Sequence, residues 1–181
     1  FISNGMGIGF GFGDIGELIL IRNQFTGNGI DNFSKTVDIT CGTLIKATVQ
    51  ENTFTSQNSA FSLSSSSEIQ SLLITNNTFL CGNGDEEGNA VEIQADQFLR
   101  SMTFTYNKII ATSDALTAIC GSLGEILIRD NEMNVSRYGI MLSGNINGNT
   151  VIEHNAILRS GTGIAINCTA ETTNAPIVEE R

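Results

Sequence analysis

Hydrophobic and polar residues alternate along short stretches of the chain, and one such stretch returns six times with an Asn at the same place. The pattern is apolar, any, apolar, two polar residues, Asn, any, large apolar. It reads LILIRNQF at 18–25, ATVQENTF at 47–54, LLITNNTF at 72–79, MTFTYNKI at 102–109, ILIRDNEM at 126–133 and TVIEHNAI at 150–157. The period of two predicts β-strands, and no helical period of 3.6 persists.

Successive copies of the repeated Asn are separated by 29, 25, 30, 24 and 24 residues. Self-similarity at a nearly fixed period is the signature of stacked repeats. Asn tolerates the left-handed backbone that a tight corner needs, and stacked side-chain amides can hydrogen-bond to one another. We therefore predict a structural Asn ladder consisting of Asn23, Asn52, Asn77, Asn107, Asn131 and Asn155.

Two further apolar points recur in each coil. The first is a pair nine and eleven residues after the Asn, at Phe61/Leu63, Leu116/Ala118, Ile140/Leu142 and Ile164/Ile166. In the two longer coils the pair comes five residues later, as Val37/Ile39 and Val91/Ile93, which indicates insertions near 26–36 and 80–90. The second point is Ile15, Leu44 or Ile45, Ile69, Phe98, Leu123 and Ile146.

Three short strands per coil predict a single all-β domain over residues 1–181. Its expected architecture is a right-handed parallel β-helix, a solenoid of about seven three-sided coils that is uncapped at both ends. The composition agrees, since 40% of the residues are hydrophobic and only 15% are charged. The net charge of −10 argues against nucleic acid and anionic membranes as partners. No apolar run reaches the roughly 18–20 residues of a membrane span.

The repeat resembles that of the pectate-lyase-like superfamily of right-handed β-helices, over nearly the whole chain. That superfamily includes polysaccharide lyases and hydrolases, phage tailspikes, adhesins and structural proteins. The resemblance implies acidic clusters for calcium with an Arg base in lyases, and several Asp with a Gly-His-Gly in polygalacturonases. This chain has no Asp-Asp pair and no Gly-His-Gly. We predict no catalytic residue, no metal site and no cofactor.

Charged residues nevertheless recur at the corner just before the Asn. Asp130 and Glu153 are the nearest pair of carboxylates there, and the only His, His154, lies beside them. Paired carboxylates about one coil apart could do acid–base work, but a solvated corner is the alternative we favour. The acidic run 85–87 between glycines predicts a solvated loop, with calcium as the alternative. Asn-x-Ser/Thr sequons occur at Asn32, Asn76, Asn134 and Asn167.

The cysteines predict free thiols rather than disulfides. Cys41, Cys120 and Cys168 fall at one inward position just after the second strand of a coil, and Cys81 lies elsewhere. Cys120 and Cys168 would lie two coils apart, about 10 Å, which is too far for a disulfide. We therefore expect four free thiols.

An aliphatic stripe is predicted on the outside of the first strand of each coil, four residues before the Asn. Its members are Ile19, Leu73, Leu127 and Val151, interleaved with Thr48 and Thr103. Exposed apolar patches usually mark an interface, so we predict a lateral protein contact here. Coverage of the stripe by a loop is the alternative.

Both ends of the sequence align with one phase of the repeat. FISNGMGIGF at 1–10 matches ILRSGTGIAI at 157–166, and APIVEER at 175–181 matches NTVIEHN at 149–155. An uncapped β-helix end exposes strand edges and core, which a second copy could cover head to tail. The predicted end-to-end interface consists of Phe1, Ile2, Met6, Ile8, Phe10, Phe12, Ile177 and Val178.

The sequence therefore predicts a structural protein, a subunit of an extracellular or cell-surface filament that assembles with copies of itself. The alternative is a carbohydrate-active β-helix, either a lyase or hydrolase fragment or a tailspike-like glycan-binding domain. In that case a carbohydrate would be the partner.

Overall fold

Short parallel strands make up most of the described chain. The computed structural model describes residues 8–11, 13–28, 35–82, 88–170 and 177–180, and these ranges contain no helix. The strands are β1 (Ile8–Gly11), β2 (Ile15–Ile21), β3 (Gln24–Asn28), β4 (Lys35–Cys41), β5 (Leu44–Gln50), β6 (Thr53–Ser56), β7 (Ser59–Ser65), β8 (Glu68–Thr75), β9 (Thr78–Cys81), β10 (Val91–Thr105), β11 (Lys108–Ala111), β12 (Leu116–Arg129), β13 (Glu132–Val135), β14 (Tyr138–Ile146), β15 (Thr150–Leu158), β16 (Thr162–Ala170) and β17 (Ile177–Glu180).

The strands stack into three columns, which we call faces 1, 2 and 3. Face 1 holds the strand before the Asn of each coil, in β2, β5, β8, the second halves of β10 and β12, the start of β15, and β17. Face 2 holds β3, β6, β9, β11, β13 and the end of β15. Face 3 holds β1, β4, β7, the first halves of β10 and β12, β14 and β16. The predicted parallel β-solenoid is confirmed.

The described coils number about six rather than the predicted seven. Face 2 has six strands, whereas faces 1 and 3 each have one more, contributed by β17 and β1. Residues 1–7, 171–176 and 181 lie outside the described ranges. At the last coil Ile177 pairs with Val151 as the alignment predicts, but Glu180 rather than Arg181 lies opposite Asn155.

The register of the inward residues follows the apolar pattern of the sequence, with one exception. Leu44 pairs with Ile69 and is fully buried, which resolves the choice between Leu44 and Ile45. The prediction of Phe98 is wrong, because Leu99 takes the inward position. Leu99 lies eight residues before Asn107, as Ile69 lies eight before Asn77, and Phe98 is therefore one residue out of phase with the Asn repeat. A register shift between Ala95 and Phe98 adds one residue to β10 relative to β12 between the inward pair and Leu99.

The core is a continuous column of side chains from all three faces. At its first three described coils the rings of Phe25, Phe54 and Phe79 stack with centroids 4.8 Å apart and planes within 8° and 7° of parallel. All three rings are fully buried. The next two levels of the same column are Ile109 and Met133, so identical inward positions bury large apolar groups coil after coil.

The corner between faces 1 and 2 is built differently from the prediction. The left-handed backbone belongs to the residue before each ladder Asn, not to the Asn, with φ between 54° and 57° at Arg22, Glu51, Asn76, Tyr106, Asp130 and His154. This residue points outward. The following Asn points inward, where its amide hydrogen-bonds to the Asn of the next coil. One residue thus supplies the left-handed backbone of the corner, and the next supplies the hydrogen bonds of the ladder.

This division makes Asn76 sensitive to the shape of a replacement rather than to its polarity. Asn76→Val puts a β-branched side chain at a φ of 55°, and we expect it to cost about 1–2 kcal/mol of unfolding free energy. Asn76→Gly accepts that backbone, and we expect a change below about 0.5 kcal/mol. Chemical denaturation of both variants checks this. Equal losses would show that the corner backbone is not the constraint.

Candidate functional site

The charged corner predicted from the sequence is an ion-pair network. Arg129 Nε lies 3.0 Å from Asp130 Oδ2, and Arg129 Nη1 lies 3.5 Å from Glu153 Oε1. His154 Nδ1 is 3.7 Å from Asp130 Oδ1. Acid–base work by two carboxylates needs a substrate or a water between them. Here one guanidinium contacts both, so the arrangement favours a structural role.

The first two coils carry a similar pair at the same corner. Arg22 Nε donates to Glu51 Oε2 at 2.7 Å. The hydrogen bond from Arg22 lowers the pKa of the Glu51 carboxyl, and a second one from Gln50 adds to this. Both groups are therefore ionised at neutral pH, and they satisfy each other on the surface.

The predicted aliphatic stripe lies in one column on the outside of face 1. Ile19 is 55% exposed, and Leu73, Leu127 and Val151 are partly exposed. The register aligns the stripe across consecutive coils, with Thr48 and Thr103 at the intervening levels. The structure thus brings these residues together, and whether they form an interface stays a prediction.

Half of the predicted end-to-end interface, four of its eight residues, falls outside the part of the chain that the structure describes. Phe1, Ile2, Met6 and Phe12 all lie there. Ile8 packs against the core, and Phe10, Ile177 and Val178 are placed as backbone positions of β1 and β17. The acidic run 85–87 and the sequon at Asn32 also lie outside the described residues.

The described cysteines are free and buried, namely Cys41, Cys81 and Cys120. Burial raises the pKa of all three thiols, that of Cys120 to about 11. Thiols in such surroundings are inert. Cys168 pairs in register with Gly144, and its side chain lies outside the described part of the structure.

A cleft that the sequence pattern did not predict lies on the outside of face 3, and we call it the polar cleft. Its volume is about 280 Å³. Charged groups lie at its entry side, where the chain turns into face 3, and apolar groups lie further along the strands. It is lined by Lys35, Ser62, Ser64, Asn89, Glu92, Ile93, Gln94, Asp114, Thr117, Ile119, Arg137 and Met141.

A buried carboxylate anchors one side of the polar cleft. Asp114 is only 1% exposed, yet it accepts two hydrogen bonds from Arg137, from Nε at 2.8 Å and from Nη2 at 2.6 Å. The Tyr138 amide and the Thr117 hydroxyl donate to it at 3.1 and 3.2 Å. Such bidentate pairing is both strong and directional. It fixes the guanidinium at the rim, where it also lies 5.5 Å from the Tyr138 ring centroid.

A second ion pair forms the other side. Lys35 Nζ lies 3.1 Å from Glu92 Oε2 and donates to Ser62 Oγ at 2.8 Å. Burial disfavours the ionised form of Glu92, but hydrogen bonds from Asn89 and the nearby Lys35 outweigh it and lower the pKa. Glu92 is therefore a carboxylate at neutral pH and cannot act as a proton donor. Asn89 links the two pairs, because its Oδ1 accepts from the Asp114 amide at 3.1 Å.

The polar entry to face 3 has a signal of its own in the sequence, separate from the Asn repeat. A polar or aromatic residue followed by a small residue precedes the inward pair of five coils, as Ser59-Ala60, Asn89-Ala90, Asp114-Ala115, Tyr138-Gly139 and Thr162-Gly163. Backbone hydrogen bonds from Ala60, Ala90 and Ala115 to the residue before the small one in the next coil stack these corners. These dipeptides lie at a fixed distance before the inward pair but at a variable distance after the Asn, so they align only when residues are counted back from the inward pair.

The described lining of the polar cleft has polar and aliphatic groups that can contact a ligand. Its two carboxylates are each paired with a cation, Glu92 with Lys35 and Asp114 with Arg137. Among the described residues no group of three or more His, Cys, Asp or Glu is placed to hold a metal ion. The same part of the chain has no helix long and apolar enough to span a membrane.

Comparisons with models of known protein families, with curated proteins and with solved structures find no match to this chain.

Proposed function

We propose that this solenoid binds a neutral glycan in the polar cleft without cleaving it. The observation that carries the proposal is the pairing of the charged groups that line the cleft. Lys35 is matched by Glu92 and Arg137 by Asp114, so the cleft contributes little net charge. The chain as a whole carries −10, which disfavours acidic polysaccharides at long range.

The remaining groups of the cleft suit a sugar. Hydroxyls and an amide from Ser64, Gln94 and Thr117 face the same space as the exposed aliphatic side chain of Ile119. Sugars present hydroxyls at their rim and C–H groups on their ring faces, so they need both kinds of contact. The cleft is small, and the apolar part of its described lining is aliphatic rather than aromatic. We therefore expect a dissociation constant on the order of 0.1–1 mM, which corresponds to a binding free energy of roughly 4–5.5 kcal/mol.

Binding to a panel of neutral and acidic oligosaccharides, followed by isothermal titration calorimetry, tests the proposal. We expect neutral ligands to bind, and Ile119→Ser or Gln94→Ala to weaken binding at least fivefold. Leu158→Ser is the matched control, because Leu158 is similarly exposed at 53% but lies on face 2. Absence of binding, equal loss in the control, or release of shortened glycan would contradict the proposal.

End-to-end assembly into a filament stays a second candidate that rests on the sequence. An extracellular location, which would suit either function, also stays a prediction.

A further inference from the structure

The outside of face 1 has a feature beyond its apolar character, because its order of side chains is self-complementary. The central column runs along the solenoid axis through one residue per coil. The six levels whose side chains the structure describes are Ile19, Thr48, Leu73, Thr103, Leu127 and Val151, and Ile177 continues the column by one level beyond Val151. In the four middle coils, shorter and longer side chains alternate along the column. If a second copy runs in the opposite direction, each longer side chain therefore lies opposite a shorter one.

A two-fold axis parallel to the strands, passing between the third and fourth levels, would bring such a column against itself. Leu73 would meet Thr103 of the partner subunit, and Thr48 would meet Leu127 of the partner subunit. The outermost pair would be Ile19 with Val151 of the partner subunit. Each of the four middle levels then combines one longer and one shorter side chain, and each outer level combines Ile with Val, which lets two sheets approach evenly.

Two of the charges beside the column follow the same symmetry. Lys46 lies on the second level and Glu125 on the fifth, on the same side of the central column. The two-fold axis places Lys46 opposite Glu125 of the partner subunit, twice per dimer. Lys46 Nζ already lies 2.7 Å from Glu17 Oε1, so a second carboxylate would complete a small ion-pair network at the edge of the contact.

The area is sufficient for a reversible dimer. Six levels spaced about 4.8 Å apart, with strands about 17 Å long, give an area of roughly 500 Å² per copy. The total of about 1,000 Å² lies at the lower limit for specific interfaces. We therefore propose that two copies of this chain associate face to face through face 1 about this two-fold axis, independently of any glycan.

Sedimentation velocity of the full chain between about 1 and 200 µM tests the proposal. We expect a monomer–dimer equilibrium with a dissociation constant on the order of 10 µM. Leu73→Glu buries two charges at the centre and is expected to weaken the dimer at least tenfold. Leu80→Glu is the control, because Leu80 is 37% exposed but lies on face 2. Circular dichroism of each variant shows that it remains folded.

Charge reversal tests the symmetry itself. Lys46→Glu and Glu125→Lys each place like charges opposite each other and are expected to weaken the dimer at least threefold. The double variant restores opposite charges and is expected to return to within about twofold of the parent. A monomer at every concentration, a species larger than a dimer, an equal effect of Leu80→Glu, or no recovery in the double variant would overturn the proposal.

Discussion

Replacing Asn107 with Ala is expected to lower the free energy of unfolding by about 3–5 kcal/mol, far more than the removal of one surface hydrogen bond. Asn107 lies in the interior of the ladder. Its Oδ1 accepts from both the backbone amide and the side-chain amide of Asn77, at 3.0 and 3.1 Å. Its Nδ2 donates to the Ile74 carbonyl at 3.0 Å and to Asn131 Oδ1 at 3.0 Å.

The large effect comes from the groups left behind rather than from the bonds themselves. Without the Asn107 carbonyl, the Asn77 backbone N–H loses its acceptor at a site only 1% exposed. A buried donor without a partner costs about 1–3 kcal/mol, and the Ile74 carbonyl loses a donor at the same time. A methyl group also fills less of the corner than an amide does.

Asn23 provides the matched control, because it has the same chemistry at the first level of the ladder. It donates to Asn52 Oδ1 and to the Ile21 carbonyl. In the described part of the chain no amide donates to the Asn23 Oδ1, so Asn23→Ala leaves no buried donor without an acceptor, and the Ile21 carbonyl that loses its donor is exposed. We expect it to cost about 1 kcal/mol. Urea denaturation followed by both circular dichroism and fluorescence of an added probe compares the two. Equal losses would mean that water replaces the missing carbonyl.

The fold could be predicted from the sequence because the same inward positions recur in every coil. The spacing of Val91 and Ile93 after the Asn, five residues later than in shorter coils, placed both in register with Leu116 and Ala118. The pattern failed at Phe98 because the distance from the inward pair to the next inward residue varies between coils, whereas Leu99 keeps the same distance of eight residues to the Asn of its coil. It also assigned the left-handed backbone to the Asn, although the sequence cannot say which of two neighbouring polar residues bends the corner.

The polar cleft was missed for a different reason. Its residues lie as many as 106 positions apart, from Lys35 to Met141, and share no motif. Their proximity depends on the insertions that shift face 3 relative to the Asn, and on corner residues that stack only after the coils are wound. Periodicity predicts which positions share a column, but charge pairing across columns depends on the three-dimensional structure.

Replacing Phe54 with Ala is expected to cost about 3–5 kcal/mol, the second large effect in this chain. Phe54 is the middle ring of the stack and has neighbours 4.8 Å away on both sides. It also meets Phe61 edge to face, with centroids 6.5 Å apart. Removing the ring leaves a cavity that the flanking rings cannot close, because each is already held by its own coil.

Phe54→Leu separates the stacking from the volume, since it keeps most of the apolar bulk but no ring. We expect it to cost about 1–2 kcal/mol. Thr55→Ala, on the neighbouring outward position, is the control and is expected to stay within about 0.5 kcal/mol. Chemical denaturation of the three variants gives these values. A loss below about 1.5 kcal/mol in Phe54→Ala would show that neighbouring coils collapse into the space.

The damage from Phe54→Ala should also be local, because each coil of a solenoid contacts mainly its two neighbours. Hydrogen exchange is expected to accelerate in β3, β6 and β9, which surround the lost ring. The amides of β13 and β15 lie three and four coils away and are expected to keep their protection. Uniform loss of protection along the axis would instead mean that the solenoid unfolds as one unit, with the Asn ladder coupling its coils over their whole length.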